Sequence, residues 1–293
     1  MSAVCLQDWV GRKQSLSETL SEVPLRQMAA LMNDEARMRE PMRPGALPGG
    51  WHWLFFNPLQ VQRLLGPDGH PERGDFLPPV ALPRRMWAGS RLHWQRDFEA
   101  GMRVEKHSEI IQVSEKTGRS GQMVFVTVRH RYADVRGDIL HEEHDIVYRE
   151  AATAAETEGL RELGERARAG QHAFERQGDT TLAWHCDPVA LFRYSAATFN
   201  GHRIHYDVDY CRNVEGYPGL VVHGPLLATL LMHLVQTRMA PGRALANFEF
   251  RALKPTFDIA GFHLHGSADG SALQVWTTNN IGQVGVEGRI SLR

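Results

Sequence analysis

The stretch RYSAATFNGHRIHYDVDYCRNVEGYPGLVVHGPLLATL, Arg193–Leu230, decides how the rest of the chain is read. It starts at helical spacing, passes through a His-rich polar turn at 200–207, and runs into a segment, 224–239, that is apolar nearly all round. A helix carrying Leu226, Leu227, Leu230, Leu231, Leu234 and Val235 has no polar face to offer water, so it must be buried. Just upstream, Asp187-Pro188 supplies an N-cap and a first-turn proline. Val189, Phe192, Ala196 and Phe199 then fall on one face of the helix that follows. Polar side chains therefore sit between two rigid elements.

Four strand-like runs lie downstream, 244–254, 259–267, 271–279 and 284–292, with turns at Asp269-Gly270 and Asn280-Ile281-Gly282. Upstream, Leu16, Leu20, Val23, Leu25, Met28, Leu31 and Met32 are spaced as in a helix over 15–33, broken or kinked near Pro24. Segments 39–50 and 65–84 are rich in Pro and Gly and read as loops. WHWLFFNP (51–58) reads as a short strand or the wall of a pocket. From residue 85 the period changes. Four runs separated by EAG, KTGRSG and RGD predict a four-stranded antiparallel meander, with Lys116–Gly121 as a hairpin loop and Val124–Val128 in a central strand. Residues 151–170 are rich in Ala, Glu and Arg and predict a solvated helical linker.

The expected division is 1–150, a linker at 151–176, and 177–293. Each half offers a helix followed by four antiparallel strands, a likeness of plan without a residue-level repeat. One buried helix wrapped by a curved antiparallel sheet is the hotdog architecture. Two copies make an α+β double hotdog, with the better helix in the second half.

The 293 residues are 42% hydrophobic and 23% charged, enough for two modest domains or one large one. A net charge of −1 gives no electrostatic footprint for nucleic acid. No apolar run reaches the roughly 18–20 residues that cross a bilayer. The first residues lack the apolar core of a secretory signal. Three cysteines, Cys5, Cys186 and Cys211, show no CxxC spacing. A reduced, cytoplasmic setting without membrane attachment is the expectation.

Asn200, His202, His205 and His223 cluster around the polar turn, with His233 further along. Three readings stand open. The imidazoles could cap helix ends and satisfy buried backbone. They could bind a metal: His202-x-x-His205 has a usable spacing, but no Cys or carboxylate stands at strong ligand spacing, and HEEH (141–144) lies in a strand-like run and is not HExxH. No metal is the expectation. Or a histidine does acid/base work at a pocket mouth, with backbone N–H groups at a helix N-terminus stabilising a developing oxyanion.

Tyr194 to Leu227 resembles the MaoC-type enoyl-CoA hydratase and hydroxyacyl dehydratase family. That motif runs Tyr…Asp-x-Asn-Pro-x-His, then, after somewhat under twenty residues, His-Gly at the start of the hotdog helix. Tyr194 matches the aromatic position, Ile204 the apolar residue, His205 the motif histidine, and His223-Gly224 the His-Gly pair. Asn200 stands where the family has Asp, His202 where it has Asn, and Arg203 where it has Pro. NGHRIHYD is similar to a double-hotdog branch holding itaconyl-CoA and mesaconyl-C4-CoA hydratases and mitochondrial-type 3-hydroxyacyl-thioester dehydratases. LPRRMWAGSRL, DIVYRE and NFEFRALKP agree. The resemblance covers most of residues 50–293.

The resemblance implies a hydro-lyase acting on an α,β-unsaturated acyl-CoA, with no cofactor beyond the CoA of the substrate. It places the catalytic motif in the C-terminal half and a degenerate site in the N-terminal half. His205 is then the general base, Asn200 an orienting amide, and the Gly224 N–H the oxyanion donor, with Tyr194, His202 and His223 around the substrate. Arg193 and Arg203 read either as surface arginines or as a clamp for a second carboxylate. Arg251 and Lys254 read either as exposed charges or as contacts to CoA phosphates, and Arg84, Arg85 and Trp87 carry the same two readings. Tyr206, Tyr210 and Tyr217 read as packing. A 3-hydroxyacyl-thioester (ACP or CoA) dehydratase of fatty-acid synthesis is the second expectation. A non-catalytic thioester-binding or assembly subunit is the third, and hotdog sheets are expected to pair into a homo-oligomer.

Overall fold

The computed structural model describes residues 5–118, 121–170 and 173–293. Arg119 and Ser120 of the expected hairpin loop, and residues 171–172 of the expected linker, lie outside them. In chain order the elements are β1 (Lys13–Thr19), α1 (Glu22–Leu31), α2 (Glu35–Arg39), β2 (Arg84–Trp94), β3 (Arg103–Gly118), β4 (Gly121–Asp134), β5 (Gly137–Arg149) and α3 (Ala154–Ala169). Then come β6 (Thr180–Trp184), α4 (Pro188–Ala197), the single turn α5 (Val208–Tyr210), α6 (Gly224–Leu234), β7 (Leu245–Ala252), β8 (Phe262–Asp269), β9 (Ala272–Thr278) and β10 (Val284–Leu292).

All ten strands form one antiparallel sheet in the order β1-β3-β4-β5-β2-β7-β10-β9-β8-β6. Read from either edge, the order is the same plan, and β2 pairs with β7 at the middle, from Gly89↔Arg251 to His93↔Asn247. This is the double hotdog. The second half wraps α6, whose leucines Leu226, Leu227, Leu230, Leu231 and Leu234 are buried against Phe262 and Leu264 of β8 and Val275 of β9. No helix among the described residues is long and apolar enough to cross a membrane.

The two halves differ where α6 would be repeated. Between α1 and β2 the first half carries the five-residue α2 and two 3-10 turns, Trp51–Leu54 and Gln62–Leu64; Trp51, His52 and Leu54 of the first turn are buried. That turn packs on α6: a Cβ on Gly50 would meet Thr229 Oγ1 at 2.3 Å. Of the two readings for 51–58, the strand is not found: Trp51–Leu54 is a 3-10 turn.

Three expectations need correction. The helix predicted over 15–33 begins at Glu22, with Pro24 inside its first turn rather than at a kink. Residues 13–19 alternate between exposed and half-buried and pair with β3 as an edge strand. Next, β2 does not pair with β3 as a meander requires. It pairs with β5, from Arg84↔Arg149 to Trp94↔Leu140, because the eight-residue connection 95–102 is long enough to cross the sheet end. Last, the apolar face assigned to α4 points outward: Val189, Phe192 and Phe199 are 62%, 61% and 64% exposed. The buried face holds Leu191, Tyr194, Ser195 and Ala197, whose polar ends find partners below. The linker helix is present as α3, closed by a Thr153–Glu156 capping box, with Gly164 packed on Pro218.

Leu230→Ala, which deletes packing at the centre of α6, is expected to cost about 2–5 kcal/mol in denaturant unfolding. Val189→Ala on α4 should stay within about 0.5 kcal/mol. Equal effects would contradict this assignment of inside and outside.

Candidate active site

The site is built where α4 ends. Phe199 leaves the helix with φ +47°, and Asn200 N–H bonds back to the Ser195 carbonyl at 2.8 Å. The Asn200 Oδ1 then accepts the His202 N–H at 3.0 Å, closing a local side-chain turn. One 3-10 turn, Arg203–His205, presents the motif histidine.

His205 is buried and its Nδ1 lies 2.7 Å from the Val221 carbonyl. A carbonyl only accepts, so Nδ1 carries the proton and Nε2 keeps the lone pair. The ring stacks on His223, centroids 3.6 Å apart and planes at 18°. His223 caps α6, and its Nε2 lies 2.9 Å from Ser195 Oγ. Tyr194 meets His223 edge-on at 4.8 Å. Gly224, the next residue, opens α6, where the first amides have no partner inside the helix. Trp87 of β2 faces it: a Cβ there would stand 3.5 Å from the indole.

The first half contributes more than a wall. The turn 66–70 docks on the motif turn so closely that a Cβ on Gly69, which has φ +87°, would fall 1.9 Å from the Gly201 carbonyl oxygen. Arg203 N–H bonds the Asp68 carbonyl at 2.9 Å. The docked turn brings in Asp68 and His70. The Asp68 carboxylate lies 3.2 Å from His70 Nδ1, the His70 ring is 4.1 Å from His202, and His202 is 5.4 Å from His205. Neither Asp68 nor His70 was singled out from sequence. The available signal was the length of the connection 65–84, since long loops without regular structure inside a domain tend to be functional.

Burial is the main force on these groups. It pushes His205 down to about 4, against the opposing Val221 bond. It also drives His202 and His223 well below the ordinary histidine range and His70 to about 4. At neutral pH all four imidazoles are uncharged. Burial works the other way on Asp68 and is the largest single influence on it, but the side-chain and backbone contacts with His70 and the Arg85 charge together outweigh it and hold the carboxyl at about 2. Asp68, His70 and His202 are the one grouping of three or more His, Cys, Asp or Glu side chains among the described residues with ligand atoms within 4.8 Å of one another. The half-buried Arg85 beside it already supplies positive charge to Asp68.

The other predicted residues divide sharply. Arg203 is not a free clamp. Its Nε and Nη2 bond Asp207 at 3.0 and 2.8 Å, its Nη1 bonds the Pro67 carbonyl at 3.0 Å, and the guanidinium lies over Tyr210. It fastens the 66–70 turn to the motif. Arg193 is exposed on the outer side of α4. Arg251 is paired with Glu287 at 2.6–2.8 Å, and Lys254 is exposed just beyond β7. In HEEH the strand period splits the motif. Glu142 is buried and His141 faces Asp138 at 2.7 Å, while Glu143 binds Arg91 and Arg129. His233 lies on α6 beside Trp184, away from the motif.

The chain is similar to known proteins in both sequence and fold. Residues 50–258 match the family described as hydroxyacyl-thioester dehydratase type 2. The chain is 38% identical over 275 residues to a mesaconyl-C(4)-CoA hydratase of Chloroflexus aurantiacus, covering 94% of this chain and 93% of that one. Among solved structures, a MaoC-like dehydratase superposes with a TM-score of 0.68 at 14% identity, covering 99% of both chains. A Mycobacterium tuberculosis protein described as a double hotdog fold superposes at 0.57 with 13% identity, covering 97% of this chain and 96% of that one.

The pH dependence carries a definite sign. His205 is lowered to about 4, so a neutral imidazole able to accept a proton is present at pH 7 and lost as pH falls through about 4. Stability moves the same way, fading as pH drops below the unfolded histidine value of about 6.5. We expect kcat/KM, read in short pH-jump assays, to stay flat from pH 8 to about 5. A limb centred near 6.5 would contradict a buried, neutral His205.

Proposed function

The chain belongs to the hydroxyacyl-thioester dehydratase type 2 family, and from that membership we propose that it hydrates a short dicarboxylic enoyl-CoA, mesaconyl-C4-CoA or itaconyl-CoA. At the coarser level it is a lyase of the hydratase and dehydratase class. The observation that carries the reading is the His205–Val221 bond, which leaves a neutral imidazole with an open Nε2 next to the start of α6.

In the proposed reaction, His205 Nε2 takes a proton from water as its oxygen bonds to the β-carbon. The C=C electron pair moves onto the thioester, giving an enolate-like oxygen. The Gly224 N–H and the positive end of the α6 dipole stabilise that oxygen. The α-carbon then takes up a proton, which His205 can return. Asn200 transfers no proton. Its Oδ1 is committed to the His202 N–H, so what it offers is its NH2 as an orienting donor. His202, Tyr194 and His223 shape the surroundings. No cofactor is called for.

Dehydration of a longer 3-hydroxyacyl thioester, the activity in the family's description, passes through the same transition state in reverse. Chain length, not these residues, separates it from the first reading.

His205→Ala should lower turnover about 10²-fold or more while thioester binding persists; near-normal activity would remove His205 as base. Assays with crotonyl-CoA, a long linear enoyl-CoA and mesaconyl-C4-CoA, read by loss of enone absorbance, should favour the dicarboxylic thioester. Preference for the long chain would favour the dehydratase, and binding without turnover of any of them would favour a thioester-binding subunit.

A further inference from the structure

We propose that Arg85 of β2 and Tyr148 of β5 form the subsite that takes the second carboxylate of a dicarboxylic enoyl thioester. This rests on the reading above and names its specificity group. The two residues are direct partners in the β2–β5 register, so their side chains rise from the same face of the sheet. The Tyr148 hydroxyl is buried and leans on the Arg85 guanidinium without a hydrogen bond of full geometry, while the Arg73 guanidinium stands over the Tyr148 ring at 5.0 Å. A buried hydroxyl left in that state costs free energy unless a ligand completes it.

The neighbouring arginines are already engaged. Arg84 is held by Glu215 at 3.3 Å and by the Tyr217 hydroxyl at 2.6 Å. Arg73 donates to the carbonyls of Val80, Leu82 and Pro83. Arg203 is tied to Asp207. Arg85 has Tyr148 beside it and Asp68 as its nearby carboxylate influence, with Arg73 opposing. It opens instead onto a pocket that it lines with Asp68, Arg84, His202, Ile204 and Tyr217. The charges acting on Arg84 and Arg85 are Arg73 on one side and Asp68, Glu215 and Glu156 on the other, with Glu215 and Glu156 acting on Arg84 rather than Arg85. A guanidinium with a phenol beside it suits a carboxylate.

The placement fits the length of the substrate. Arg85 and Trp87 are two apart on β2, before the bulge that follows Trp87, so they share a face at about 6.7 Å. Trp87 faces Gly224, the proposed oxyanion donor. A four-carbon diacid spans roughly 4 Å between its terminal carbons, plus the C–O bonds at each end. A thioester oxygen at Gly224 N–H would thus put its far carboxylate within reach of Arg85. His202 flanks the path, which gives that residue a place against the acyl group.

The test compares Arg85→Met, Arg85→Lys and Tyr148→Phe with the unaltered protein on mesaconyl-C4-CoA and crotonyl-CoA, with melting curves for each. Arg85→Met should lose roughly 10- to 10²-fold in kcat/KM on the dicarboxylic thioester and stay within about threefold on crotonyl-CoA. Arg85→Lys should recover part of the loss, and Tyr148→Phe should lose less than Arg85→Met but with the same bias. Equal losses on both substrates, the result if Arg85 held a CoA phosphate or only the fold, would overturn the subsite. So would no loss on either. If Arg85→Met melts early, the bias of Tyr148→Phe decides. An unaltered protein that hydrates crotonyl-CoA but not mesaconyl-C4-CoA sinks the dicarboxylate reading and the subsite with it, while a dicarboxylate preference that survives Arg85→Met sinks the subsite alone.

Discussion

One hydrogen bond holds the site in register: the His205 Nδ1–H to the Val221 carbonyl, 2.7 Å. A second bond runs the other way, from Val221 N–H to the Ile204 carbonyl at 2.9 Å. Together they pin the motif turn to the segment that leads into α6. They fix the imidazole tautomer, and they bring the ring onto His223, one residue before the helix starts. Val222 is in turn bonded to Thr256 beyond β7. The proposed base and the proposed oxyanion donor are thereby held by the same few backbone atoms, and preorganised geometry of this kind is where most catalytic advantage arises.

The two halves share a sheet plan but not a task. Because the first half has only the short α2 and two 3-10 turns between α1 and β2, where the second half has α6, its long connection is free to fold over the motif of the second half. The turn 66–70 does so, fastened by Arg203 and by the close approach of Gly69 to Gly201. The central position of β2, next to β7, brings Arg85 and Trp87 to the same place. The site is thus assembled from both halves, although the recognisable motif lies in one.

Much of the fold was legible because burial leaves a pattern. An all-apolar α6 has one solution, and the long strands alternate clearly. The edge strand β1 was not legible: KQSLSET buries no residue fully, so its period-2 signal is faint and the leucines nearby suggest a helix. The face of α4 was misread because apolarity was taken as the sign of burial, whereas Tyr194 and Ser195 are buried beside His223. In the site, His205, His223 and Gly224 stood out by their resemblance to the family motif. Asp68 and His70 did not, because contacts across more than 130 residues leave no local trace. Nor can sequence tell which arginine has partners: Arg203 looked free and is tied down, while Arg85 looked ordinary and faces the pocket.

The most direct test of this account is the protonation state of His205, read by 15N NMR of the imidazoles with His205→Asn as the assignment control. The account predicts a neutral ring at pH 7 with the proton on Nδ1 and a titration well below the usual histidine value. A ring protonated on Nε2, or one that is charged at neutral pH, would contradict it, because no lone pair would then remain to accept a proton from water.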